Sequence, residues 1–269
     1  MSKADDEARK DRELQVQLHV QRGREIAEAG HGEAAEREYR RALRVDQNCP
    51  DAHLGLAESY QLQDRTREAL SAYREALRRA PRRAEGHLGL AELMANMGQP
   101  QAARRHLAEA VRCDTGRAYY RYRLGQLHLQ SGAYESARRE LERAVALAPR
   151  DGFYHFKLAE VHFAQGDLLA ATAHYESAAH CSRLDDLYHV RLAACYARQR
   201  RRSRAVTTLR RAVQISPQNP VYRCLLGDQL TKLGREAEAD RQYARAGRLG
   251  AYDRDSLDRA RRRFGESPR

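Results

Sequence analysis

Apolar residues recur along the chain in short bursts at helical spacing. His53, Leu56, Ala57 and Tyr60 fall at i, i+3, i+4 and i+7; Asp64 interrupts, and Ala69, Tyr73, Ala76 and Leu77 resume the pattern. This reads as two short antiparallel helices joined by a turn. The unit recurs every 34 residues from Val16 to Asp253 without insertion or deletion. Seven units are predicted, at 16–49, 50–83, 84–117, 118–151, 152–185, 186–219 and 220–253, after an extension over 1–15 and before a segment over 254–269.

Three columns of the aligned units hold only small residues. The first is Gly23, Ala57, Ala91, Gly125, Ala159, Ala193 and Gly227; the second runs from Ala35 to Ala239 and the third from Ala42 to Ala246, both all alanine. A small residue at a fixed place in a helix lets a neighbouring helix approach closely. Gly30, Gly98, Gly132, Gly166 and Gly234 stand at the turn between helices, where a left-handed backbone costs glycine least. Pro81, Pro149 and Pro217 close the second helix of their units. Asp255 to Phe264 reads as a short amphipathic helix, acidic first and arginine-rich last, that covers the end of the stack. The extension is expected to lengthen the first helix, with residues 1–5 disordered.

These residues resemble the tetratricopeptide repeat, with Leu56-Ala57-x2-Tyr60, Ala69-x3-Tyr73 and Ala76 in the second unit and Leu124-Gly125, Ala137-x3-Leu141, Ala144 and Pro149 in the fourth. Arg22, Arg200, Thr115 and Arg183 depart from the pattern without threatening it. The resemblance implies an all-α, right-handed superhelical solenoid of antiparallel helix pairs with a C-terminal capping helix. It also implies a non-catalytic scaffold or adaptor for protein partners, with the first helix of each unit lining a concave inner wall.

Composition adds limits. No apolar run approaches the roughly 18 residues of a membrane span, and the charged start, Met1 to Arg12, does not read as a signal sequence, so a cytoplasmic location is expected. Five scattered cysteines without a C-x-x-C pair read as packing residues in a reduced compartment. Phosphate loops, nucleotide-binding glycine fingerprints and nucleophile elbows are absent, so neither catalysis nor a cofactor is expected. His19, His53, His87, His155 and His189 share one column. Metal ligands must all lie about 2 Å from one ion, whereas packed helices stand roughly 8–10 Å apart, so these histidines are read as packing residues bonded to backbone.

On the inner helices one stripe changes character along the chain. Early units offer Asp51, Leu54, Glu58 and Gln61, then Glu85, Leu88, Glu92 and Ala95; the fourth and fifth offer Tyr119, Tyr122, Gln126 and Leu129, then Phe153, Phe156, Glu160 and Phe163. Aromatics on a solvent-facing wall mark a binding site, and Arg123, Lys157 and Arg191 add a basic row beside them. The expected partner is an apolar or acidic peptide or helix held in the groove of the fourth to sixth units. The alternative reading is that these aromatics pack between adjacent inner helices, as Tyr120, Tyr154, Tyr188 and Tyr222, one residue off the stripe, are expected to do. The chaperone-tail clamp that some repeats of this kind carry has no counterpart, because the matching column supplies Glu58, Glu92, Gln126 and Glu160.

The net charge of +12 is unevenly spread: the sixth unit carries eight basic residues against Asp186 alone. Arg198, Arg200, Arg201, Arg202 and Arg204 cluster at its turn, which suggests a second reading, contact with nucleic acid or another polyanion. Aromatics are not interleaved with these arginines, which disfavours nucleic acid. Self-association is not favoured either, so a monomer is expected.

Overall fold

The computed structural model describes residues 3–250 and 253–265. Among them every regular element is a helix: α1 (Lys3–Glu28), α2 (Gly32–Val45), α3 (Pro50–Leu62), α4 (Thr66–Arg79), α5 (Ala84–Asn96), α6 (Pro100–Cys113), α7 (Ala118–Gln130), α8 (Tyr134–Leu147), α9 (Gly152–Gln165), α10 (Leu168–Cys181), α11 (Asp186–Arg198), α12 (Arg202–Ile215), α13 (Pro220–Thr231), α14 (Glu236–Arg248) and α15 (Arg254–Arg263). In chain order the first fourteen run as seven successive helix–turn–helix units. The extension does lengthen α1, but residues 3–5 are helical rather than disordered, and Met1 and Ser2 lie outside the described residues.

Each turn inside a pair is built alike. One residue at left-handed φ ends the first helix, and the residue after it donates its backbone N–H five residues back, as in Arg65 to Tyr60 (2.9 Å), Gln99 to Met94 (2.9 Å) and Arg201 to Tyr196 (2.8 Å). Glycine holds that φ in five pairs, while Asp64 (58°) and Arg200 (61°) hold it with a side chain attached. Proline starts α3, α6 and α13 where its missing N–H has no role, and Asp151, Asp185 and Asn219 cap α9, α11 and α13.

The chain divides into two compact units, Met1–Leu127 and His128–Arg269, the division falling in the last turn of α7. In the first unit the core runs through Ala35, Tyr39, Ala57, Ala69, Tyr73, Ala91 and Leu107. In the second it runs through Phe156, Ala171, Tyr175, Ala193, Leu209, Leu226 and Leu257. All three small-residue columns are buried, most of their alanines completely. Cys49, Cys195 and Cys224 are buried as packing residues, whereas Cys181 is exposed.

Two glycines matter for what lies against them. A Cβ on Gly55 would stand 2.2 Å from the ring of buried Tyr39, and one on Gly89 would stand 2.3 Å from that of Tyr73. Where the outer helix carries Leu107, Leu141 or Leu209 instead, the matching inner positions are Arg123, Lys157 and Leu225. Tyr175, opposite Arg191, follows a different rule and turns its hydroxyl to Glu160. A helical Gly→Ala change ordinarily stabilises by about 1 kcal/mol. Gly55→Ala is expected instead to destabilise by about 1–3 kcal/mol, the usual cost of overpacking. Tyr39→Leu in the same chain should recover much of that loss in urea unfolding; stabilisation by alanine alone would show that the ring does not fill this gap.

Candidate functional site

The histidine column behaves as packing chemistry. In His53, His87, His155 and His189, Nε2 lies 2.9–3.2 Å from the carbonyl oxygen six residues earlier, at Gln47, Pro81, Pro149 and Arg183. In the seventh pair Arg223 takes the place of histidine and donates to the Pro217 carbonyl (2.9 Å). His19 cannot do the same, because the residue six before it lies within continuous α1; its Nδ1 meets Glu38 at 2.8 Å. The pattern in sequence did not reveal a second partner, nineteen residues on, in alternate pairs: His19 with Glu38, His87 with His106 (3.4 Å), His155 with His174 (3.2 Å) and Arg223 with Gln242 (3.4 Å). Among the described residues no cluster of His, Cys, Asp and Glu is placed to hold a metal ion.

The stripe of expected contact residues separates into exposed and packed members. In the first unit Tyr119 is exposed, with Tyr122 and Gln126 half-buried behind it. Arg123 bonds to the Tyr119 hydroxyl (2.8 Å) and forms an ion pair with Glu92. In the second unit Leu129 is half-buried and Phe153 is 36% exposed, with the Lys157 ammonium 5.1 Å from its ring centre. Phe156 departs from the expectation of a solvent-facing aromatic: at 7% exposure it stacks on Tyr188 of the next inner helix, centroids 4.7 Å apart. That contact is the inter-helix packing alternative. Phe163 is half-buried beneath Arg198, whose guanidinium carbon lies 4.9 Å from the ring centre. Tyr120 and Tyr188 are buried and Tyr154 and Tyr222 half-buried, as packing residues.

Two members of the basic row face carboxylates. Arg123 is matched by Glu92 and Arg191 by Glu160 (3.4 Å), each pairing reaching back to the preceding inner helix. Of the turn arginines, Arg200, Arg201, Arg202 and Arg204 are exposed, and Arg204 lies over the Tyr196 ring (5.7 Å). Arg198 is exposed as well, and in addition it donates to the carbonyl oxygens of Arg263 (2.9 Å) and Arg262 (3.1 Å) at the end of α15.

Residues not singled out in the sequence complete this face. Asp228 on α13 is 6% exposed and accepts two bonds from Arg261, at 2.8 and 3.0 Å, and one from the Tyr243 hydroxyl at 2.8 Å. Burial, reinforced by Asp228, pushes the Tyr243 phenol up to about 12, so it donates as a neutral hydroxyl. Arg263 reaches both oxygens of Glu160 at 3.1 Å, and Glu160 also accepts from Tyr175, whose phenol is raised by burial and then by Glu160 itself. Leu257 and Phe264 are buried in the second unit's core. The signal available in sequence was the acid at the inner-helix column of Glu160 and Asp228; no local pattern pairs it with residues 33 and 103 positions away.

Tetratricopeptide-repeat models match residues 62–122 and, in overlapping stretches, 20–65, 122–186 and 156–220. The fold resembles pilF of Pseudomonas aeruginosa, 20% identical over 82% of this chain and 99% of that one, with a TM-score of 0.67. It also resembles the C-terminal part of a TPR repeat-containing protein of Cytophaga hutchinsonii, 13% identical over 89% and 98% of the two chains, with a TM-score of 0.73. YrrB, described as a TPR protein with an unusual peptide-binding site, is 19% identical over 66% and 92%, with a TM-score of 0.56. At these identities the likeness is one of fold. No curated protein matches the chain by sequence.

The histidine pairs carry a pH dependence. His174 lies between His155 and His162, with ring centres 5.4 and 5.6 Å away, and burial first, then these two neighbours, lower it from the ordinary 6.5 to about 4. Glu142 opposes the shift. Between those values the unfolded chain takes up a proton that the folded chain refuses. The contribution to stability is thus complete above about pH 6.5 and is lost as the pH falls towards about 4. Urea midpoints should drop across that window, and His174→Gln should flatten the drop; an equally steep profile in the variant would rule this histidine out as its source.

Proposed function

Because the chain belongs to the tetratricopeptide-repeat family, whose members are in general protein-interaction scaffolds, we propose that it is a non-catalytic adaptor that takes a partner segment on its inner helices. The observation that carries this reading is Phe153. It is a large aromatic left 36% exposed on α9, with a cation over one face and Tyr154 edge-on at 5.5 Å. An aromatic ring exposed to this extent is an anchor for apolar side chains of a partner. Tyr119 and Tyr122 on α7 supply a similar aromatic pair in the first unit. Phe156 supports the wall from behind, and the fold is one on which YrrB carries a peptide-binding site. No helix among the described residues is long and apolar enough to cross a membrane.

A second reading rests on Arg200, Arg201, Arg202 and Arg204, exposed together where α11 turns into α12. They offer phosphates or acidic side chains a compact cationic surface.

Two experiments separate these readings. Phe153→Ala should leave the melting temperature nearly unchanged and remove partners recovered by affinity capture, whereas Phe156→Ala should cost about 3–5 kcal/mol of stability. Undiminished capture with Phe153→Ala would dispose of the aromatic anchor. For the second reading, affinity for random-sequence single-stranded RNA should fall steeply between 50 and 200 mM salt and vanish when the four arginines become alanine; absence of binding at low salt would end it.

A further inference from the structure

The face shared by α9, α11 and α13 is already holding a helix. α15 is fastened to each of these three inner helices in turn: to α13 through Arg261 and Asp228, to α9 through Arg263 and Glu160, and to α11 through Arg198, which caps its last carbonyls. Its apolar stripe, Leu257, Ala260 and Phe264, packs against the second unit's core, and its charged side chains add the contacts to the inner helices. Only Leu257 and Phe264 are buried, and α15 carries five arginines in ten residues. What the wall recognises is charge and shape: two carboxylates, one buried, each taking a guanidinium through both of its oxygens or both of its nitrogens. Such two-pronged pairs fix geometry as well as charge.

The wall also needs that cation. Asp228 is almost fully removed from solvent, and without Arg261 its carboxylate would keep, among the described residues, the Tyr243 hydroxyl. Leaving a buried charge so poorly matched is costly, so an arginine from some source is called for at this position. At the other end Arg198, seated on Phe163, offers two N–H groups to the free carbonyls of any helix that ends there. A helix bearing arginine, then arginine two positions on, then an aromatic, meets every one of these groups.

We propose that the wall of α9, α11 and α13 is a receptor for arginine-bearing amphipathic helices, with α15 as its internal occupant, so that a partner protein docks by presenting a helix of the same chemistry and displacing it. The proposal rests on the scaffold reading and names its partner class. It places the partner's cationic side, rather than an acidic one, against the second unit, and it makes Glu160, Asp228 and Arg198 the groups that select.

The test uses the full chain and a fluorescein-labelled synthetic peptide of residues 253–265. The unaltered chain should bind it weakly, because the wall is filled. Arg261→Ala with Arg263→Ala in the full chain should loosen α15 and tighten peptide binding at least tenfold. Adding Glu160→Gln should reverse that gain while circular dichroism shows the helical content retained, and a peptide with glutamate at both arginine positions should not bind. Equal affinity for the unaltered and double-substituted chains, or indifference to Glu160→Gln, would overturn the proposal. Hydrogen exchange on the unaltered chain is a second measurement that needs no substitution: α15 amides should exchange at least tenfold faster than those of α13, and equal protection would mark α15 as a fixed part of the core. None of these readings depends on Phe153, so partner capture through Phe153 without peptide exchange would sink the internal occupant and leave the scaffold standing.

Discussion

The close approach of neighbouring helices at three buried small-residue positions is the constraint on which the rest of this structure depends. A pair of helices thirteen or fourteen residues long cannot bury its apolar face alone; it does so against the pairs before and after it. Backbones come close only where the side chain between them is alanine or glycine, and larger residues around that point then fill the gap. Tyr39 and Tyr73 show the limit of the rule, since their rings occupy the space a Cβ on Gly55 or Gly89 would need. Once these positions are met, the outward residues are free to differ, which is why α9 can be aromatic and α12 arginine-rich on one scaffold.

What the sequence made legible follows from that constraint. The alanine columns, the left-handed turn residues and the ends at Pro81, Pro149 and Pro217 are properties of a single unit, read at one period. The carbonyl partner of His53 or His155 was legible in kind, because a polar ring at a packed crossing must find an acceptor. Contacts between units were harder. Phe156 and Phe153 sit on the same helix and read alike, yet Tyr188 of the next pair stacks on Phe156, which is 7% exposed, while Phe153 is 36% exposed. The docking of α15 was not legible at all beyond its being a short amphipathic helix, since Glu160 and Arg263 meet across 103 residues.

Charge shows the same difference between counting and placing. Arg123, Lys157 and Arg191 align as a basic row, but two of the three face a glutamate supplied 31 positions earlier by the preceding inner helix. The net charge of the chain therefore says little about any one face. The exposed arginines from Arg200 to Arg204 stand at a turn, while the carboxylates of Glu160 and Asp228 stand on the inner helices.

The connection from Arg248 to Arg254 is short, and this has a consequence for any partner of the second unit. A helix tethered so near its binding face competes at an effective concentration of the order of millimolar. A free ligand of equal intrinsic affinity is then outcompeted until its own concentration approaches that value, since apparent affinity scales with the fraction of chains whose face is open. The tether thus works as a threshold: scarce, weak or partial matches leave the face shut, and only an abundant partner, or one that adds contacts α15 lacks, such as the ring of Phe153, occupies it.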